Sequence, residues 1–206
     1  MALIGHNVEE LVPVADVGTN NWILSTGTDY FDLVDDWSSA TYIHRTSGIG
    51  RTFDFTMSDL PESSDTGIVI DSVTVGAYWR CTSTAAGKTE SATIGFSLEN
   101  AAGTSYYTET FEIQTGYGAH IWTGTARTTT DGSTAWTSTT VNGLRVNGEW
   151  ASSSGSGDKT VTIYRVFLKI KYTFTPPITT YTSDDNIVLK NGQTELKNGM
   201  IEIKGP

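Results

Sequence analysis

Residues 161–175 read VTIYRVFLKIKYTFT, and this stretch decides how the rest of the chain is read. Thr162, Tyr164, Val166, Leu168, Ile170, Tyr172 and Phe174 occupy one parity; Arg165, Lys169 and Lys171 occupy the other. Alternation at period two describes a strand with one face on a core and the other in water. Strands typically run about 5–6 residues, so this one is long enough for shorter strands to register against it. Phe167 falls on the charged parity, between Arg165 and Lys169. An exposed aromatic between two cations is a contact for an acidic partner, so these three are candidate partner-binding residues.

Seven further alternating stretches precede it. They are Thr41–Arg45, Arg51–Met57, Ile68–Cys81, Ser91–Glu99, Tyr106–Gln114, Ala119–Thr129 and Gly143–Ala151. Phe53, Phe55 and Met57 share one face, as do Val73, Val75, Ala77 and Trp79, and Ala92, Ile94, Phe96 and Leu98. The connections SGIG, PESSDTG, TAAGKTE, ENAAGTS, DGSTAW and SSSGSGDK are rich in turn formers. Short strands at regular spacing with turn signals imply an all-β, eight-stranded antiparallel β-sandwich or jelly roll over residues 21–175. A short helix fits only within Ser133–Asn142.

Residues 1–20 show little periodicity and read as an N-terminal arm, either disordered or lying on a neighbour. Pro176-Pro177 closes the sandwich, and residues 176–206 form a linker and a small extension. The extension repeats every seven residues, with Leu189-Lys190-Asn191-Gly192, Leu196-Lys197-Asn198-Gly199 and Ile203-Lys204-Gly205. Glycine in each repeat opposes a helix, whereas Asn-Gly favours a two-residue hairpin turn. The expected structure is a β-meander of Ile187–Lys190, Thr194–Lys197 and Met200–Lys204. So small a sheet must pack on something, which makes Ile187, Leu189, Leu196, Ile201 and Ile203 candidate contacts in a homo-oligomeric joint.

The formal net charge of −10 disfavours nucleic acid and anionic membrane surfaces as partners. Residues 1–72 hold 12 acids and two bases, which is −10; residues 73–206 hold 11 of each, which is zero. The first third therefore reads as a face for a basic partner, or as a solubilising surface. The single cysteine, Cys81, continues an apolar alternation and reads as a core residue. MALIGHNVEELV has no basic start and no long apolar run, so synthesis in a reducing cytoplasm is expected.

Catalytic patterns are sparse. His6, His44 and His120 lack ligand spacing, and Glu109 and Glu112 fall on opposite strand faces, which does not suit a glycosidase pair. The reading is non-enzymatic, with no cofactor. Asp29, Asp32, Asp35 and Asp36 offer oxygen ligands to Ca²⁺, but without the order of a known loop, so a solvated acidic loop competes with that reading. Trp22, Trp37, Trp136 and Trp150 sit in or near loops. There, tryptophans either stack on sugars or close the ends of a sandwich, which makes Trp136 and Trp150 candidate glycan-stacking residues.

The pattern of Tyr30–Ile43 (YFDLVDDWSSATYI), a Phe-rich strand ending in Leu60-Pro61 and Ile70-Asp71-Ser72-Val73-Thr74-Val75 resembles a β-sandwich domain of tailed-bacteriophage virion proteins. Ala135-Trp136-Thr137, Val141-Asn142-Gly143-Leu144-Arg145-Val146 and the closing strand Val161–Tyr172 carry the same resemblance, which spans Trp22–Phe174. It implies a virion structural protein: a capsid decoration (cement) protein or a tail or neck attachment component, with other virion proteins as partners. The alternative is a carbohydrate-binding module for a glycan or a host surface.

Overall fold

The structure, a computed structural model, describes residues 5–18, 20–46, 48–60, 67–84, 90–116, 118–155, 157–174, 194–197 and 200–203. Its strands are β1 (Gly5–Leu11), β2 (Pro13–Asp16), β3 (Ile23–Leu24), β4 (Ile43–Thr46), β5 (Thr52–Met57) and β6 (Val69–Ser83). They continue as β7 (Ser91–Glu99), β8 (Ser105–Gln114), β9 (His120–Thr123), β10 (Arg145–Ser154), β11 (Lys159–Phe174), β12 (Thr194–Lys197) and β13 (Met200–Ile203). One helical turn, α1 (Ser138–Val141), starts on a capping box in which Thr137 and Thr140 exchange hydrogen bonds.

Two sheets form the sandwich. One runs β3-β4-β11-β6-β9, with β1 also on β11; the other runs β2-β5-β10-β7-β8. The eight strands expected from alternation are β4 to β11. Numbered one to eight, they lie in the orders 1-8-3-6 and 2-7-4-5, which is jelly-roll winding. The faces that alternate cleanly point where expected. Phe53, Phe55, Val73, Val75, Ala77, Trp79, Ile94, Phe96 and Val146 are all buried between the sheets, with Cys81 among them.

Two readings change. First, the arm is not free. β1 pairs with β11 from Gly5 opposite Phe174 to Leu11 opposite Leu168, and β2 pairs with β5. The chain crosses between sheets at Val12, whose amide donates to Ser58 Oγ at 3.1 Å while its carbonyl accepts from Ser58 N at 2.8 Å. β1 hides its alternation because polar Asn7 and Glu9 share parity with Leu11, opposite core-facing Tyr172 and Ile170. Asn7 Nδ2 donates to the Tyr172 hydroxyl at 2.8 Å.

Second, the register of β11 against β6 slips. Ile163 lies opposite Trp79 but Arg165 lies opposite Tyr78, so Tyr164 is the extra residue of a β-bulge. Val161 and Ile163 face the core before the bulge, and Val166, Leu168, Ile170 and Tyr172 face it after. Thr162 and Tyr164 therefore stand on the outer face, against the single parity read from sequence.

In the extension, two of the three expected strands are described and form a hairpin. β12 and β13 pair antiparallel with Lys197 opposite Met200, leaving a two-residue connection. Leu196 stands opposite Ile201, and Thr194 opposite Ile203. The expected strand Ile187–Lys190, with Ile187 and Leu189, lies outside the described residues. The chain divides into two compact units, Met1–Thr175 and Pro176–Pro206.

Candidate functional site

The outer face of the β11 sheet is where the sequence placed its partner contact. Gly76 of β6 lies opposite Phe167 of β11. The Phe167 ring crosses the glycine, where any Cβ would overlap it. Above this pair folds the acidic loop. The Asp16 carboxylate anchors its start, accepting from the amides of Tyr30 at 2.9 Å and Phe31 at 3.1 Å. A 3-10 turn at Phe31–Leu33 then buries Leu33 and Val34. The Val34 carbonyl accepts from Val166 N at 2.9 Å, filling the gap on β11 between its pairings with β4 and β1.

This docking brings Trp37 over the sheet. Its ring centroid lies 5.9 Å from Phe167 and 6.2 Å from Tyr78. The Arg165 guanidinium stacks 4.1 Å above Trp37 and donates to Glu10 Oε2 at 2.9 Å. Phe167 is thus 2% exposed and Arg165 6%, and only Lys169 is half-exposed. The expected contact with an acidic neighbour is corrected: the acids and aromatics that cover Arg165 and Phe167 belong to this same chain. The excess negative charge of the first third is likewise drawn inward in part. Glu10 meets Arg165, Asp54 meets Arg145, and Asp16 caps the turn.

Rings continue across the face in a row, Tyr78–Tyr164 at 5.1 Å, Tyr164–Tyr42 at 5.8 Å and Tyr42–His44 at 5.6 Å. Burial pushes the Tyr164 phenol pKa up. Beyond the row, the face carries exposed Val8, Ile23, Trp37, Val69 and Ile121, five of the seven exposed large apolar side chains among the described residues. Register places them there: Val8 is opposite Lys171, Ile23 opposite His44, Val69 opposite Thr173 and Ile121 opposite Tyr78. The other sheet presents Thr52, Asp54, Thr56, Thr93, Ser97 and Asn147 at its outward positions. Exposed large apolar side chains thus gather mostly on the β11 sheet, with Val14 of β2 on the other.

No known protein family matches the chain, and no curated protein matches it.

The remaining sequence candidates fall elsewhere. Trp136 and Trp150 are 4% and 1% exposed, so neither offers a ring face to a sugar. Their indole nitrogens donate to the carbonyls of Arg127 at 3.0 Å and Ser152 at 2.9 Å. They plug the sandwich, the competing role for loop tryptophans. Asp29, Asp32 and Asp36 are exposed and Asp35 half-buried. Among the described residues, no three His, Cys, Asp or Glu side chains converge as metal ligands. Burial, then the Asp36 and Asp32 charges, raise the Asp35 pKa.

Two features escaped the sequence. Under the turn SSSGSGDK, Lys159 and Glu90 form a buried ion pair at 3.5 Å. Glu90 also accepts from the Ser83 hydroxyl and from Gly157 N at 2.9 Å, and these hydrogen bonds hold its pKa down. The second is a cleft between β8 and β9, the edge strands of opposite sheets. Trp79, Phe111, Ile113 and half-buried Trp122 line about 430 Å³, with exposed Glu112, Gln114, His120 and Ile121 completing the lining. Trp122 also lines a neighbouring polar hollow of about 410 Å³ with Glu109, Thr110 and Arg127. In sequence Trp122 was one more aromatic on a strand; the cleft exists only once two distant edges meet.

Proposed function

We propose that the protein is a non-enzymatic structural component of a tailed-phage virion, a capsid decoration protein or a tail or neck attachment component. The observation that carries this is the sidedness of the sandwich. A jelly roll whose core is already filled has no need to expose Val8, Ile23, Trp37, Val69 and Ile121 on one sheet. Exposed apolar groups gathered mostly on one face are the mark of a docking surface. The resemblance of Tyr30–Ile43 and the closing strand supplies the setting, the virion and its other proteins. The second compact unit supports a homo-oligomeric joint, since a hairpin of two four-residue strands is marginal alone.

Co-purification with virus particles tests it. The wild-type chain should accompany particles at fixed stoichiometry. Ile121→Glu combined with Val69→Glu should fold normally and be lost from particles, whereas Thr52→Glu on the polar face should be retained. Equal retention of both variants would overturn the reading.

A further inference from the structure

The β8/β9 cleft has a composition that a docking face lacks. Its floor is aromatic: Trp122 stacks on Phe111 with centroids 3.8 Å apart and planes 18° apart, and Trp79 meets Phe111 edge-on at 4.6 Å. Its continuation past Trp122 is polar and held rigid. Arg127 grips Glu109 through Nε at 3.1 Å and Nη2 at 2.9 Å, and the Glu109 carboxylate also accepts from Thr125 N at 2.8 Å. Gly124 permits this approach, because a Cβ there would overlap the Glu109 carboxylate. Trp122 is common to both hollows, so a ligand long enough to fill both passes along its indole.

An apolar ligand suits the first hollow and leaves the second unmatched. An anionic ligand suits neither, because Glu112 lines the first hollow, Glu109 and Arg127 neutralise each other in the second, and the chain is acidic overall. What matches both is a chain of units that each carry an apolar C–H face and a rim of hydroxyls. Aromatic floors with a few placed polar groups are how proteins orient such molecules. We propose that the β8/β9 cleft binds a neutral oligosaccharide. Equatorially substituted pyranose units, as in β-1,4-linked glucan or xylan, lay one C–H face on Trp122. The neighbouring unit hydrogen-bonds Thr110, Glu109 and Arg127. Ile121 of the apolar face also lines the first hollow, so the two surfaces meet at β9, and Val69→Glu, on a residue outside both hollows, separates particle attachment from sugar binding.

Calorimetric titration of the full chain with cellohexaose, xylohexaose, mannohexaose, maltohexaose and chitohexaose tests the proposal. Cellohexaose or xylohexaose should bind at millimolar concentrations or better, and maltohexaose, whose α-linkage turns successive rings, more weakly. Trp122→Ala should weaken that binding at least tenfold. Because Trp122 packs on Phe111, the exposed rim variant His120→Ala is measured alongside, with a severalfold loss expected and an unchanged unfolding midpoint. Thr56→Ala, on the opposite face, should bind as wild type. Absence of binding to all five sugars overturns the proposal. So does binding that survives both Trp122→Ala and His120→Ala, which would point to the open strand edges instead.

Discussion

Removal of the Phe167 ring should destabilise the isolated protein, and the size of the effect should depend on a glycine in another strand. The ring is 2% exposed and lies over Gly76, under Trp37 and beside Arg165. Burying a phenylalanine removes about 150–250 Å² from water, or about 4–6 kcal/mol at 25 cal/mol per Å². Phe→Ala in a core typically costs about 3–5 kcal/mol. Trp37 is 51% exposed and sits on a loop, so it can sink into the void. The lower end, about 3 kcal/mol for Phe167→Ala, is therefore expected. Gly76→Ala alone should cost about 1–3 kcal/mol, because the new methyl displaces the ring. With Phe167→Ala already present, the methyl meets no ring and fills part of the void. Alanine also regains about 0.5–1 kcal/mol of strand preference over glycine. Gly76→Ala should then be neutral or stabilising, a coupling of about 2–3 kcal/mol. Urea unfolding of the four proteins, followed by tryptophan fluorescence, measures this, with equal m-values as the check on two-state behaviour. If Gly76→Ala costs the same in both backgrounds, the ring does not lie over the glycine and the register argued for β6 and β11 is wrong.

Gly148 lies under Phe53 on the inner face, with no loop to yield above it, so Gly148→Ala should cost about 3 kcal/mol or more by the same melts, exceeding Gly76→Ala. Hydrogen bonds depress the folded pKa of Glu90, so its contribution is complete above its ordinary value of 4.5 and fades as pH falls below it. Glu90→Gln should flatten the acid limb of stability measured from pH 6 to pH 3. Burial pushes the Cys81 thiol pKa up to about 11, so iodoacetamide should label the native protein slowly near neutral pH and the urea-unfolded protein at the rate of a free thiol. Attachment through an apolar face should survive high salt, where the Debye length is about 3 Å; loss of particle occupancy at 1 M salt would restore a charge-driven contact. Deleting residues 176–206 should leave a cooperatively folding jelly roll that no longer self-associates in sedimentation.

The fold was legible wherever alternation ran unbroken. Phe53-Asp54-Phe55-Thr56-Met57 and Ala92 to Leu98 declare an inner and an outer parity, and the structure keeps both. Parity fails at Tyr164 because a bulge belongs to a strand pair: whether β11 gains a residue is settled against Trp79 and Tyr78 of β6. The arm was illegible for a different reason. β1 turns Asn7 and Glu9 toward the core side near the end of the sandwich, where Asn7 can reach the Tyr172 hydroxyl, so polar residues stand where a pattern search expects apolar ones.

Arg165 shows why the partner surface was misread. A charge on the outer parity of a strand reads as solvated, and that holds when nothing folds above it. Here every residue from Val161 to Leu168 is buried, so this half of β11 is covered on both faces. The cover is the acidic loop, held by Asp16 at one end and by the Val34 carbonyl in the middle. Tyr164 and Phe167 flanking Arg165 were the signal, since a cation stacked among rings keeps its charge with less water than one among hydroxyls. Once the loop has closed over this patch, the apolar surface that remains lies around it, on Val8, Ile23, Val69 and Ile121. The proposed docking face is therefore a rim around the covered patch, with Trp37 at its centre contributed by the loop. A partner that binds there must contact the loop, and the loop's order should respond. Trp37 fluorescence, taken as the difference between the wild type and Trp37→Phe, should shift to the blue when particles bind. An unshifted Trp37 in protein that is fully particle-bound would place the contact on another face.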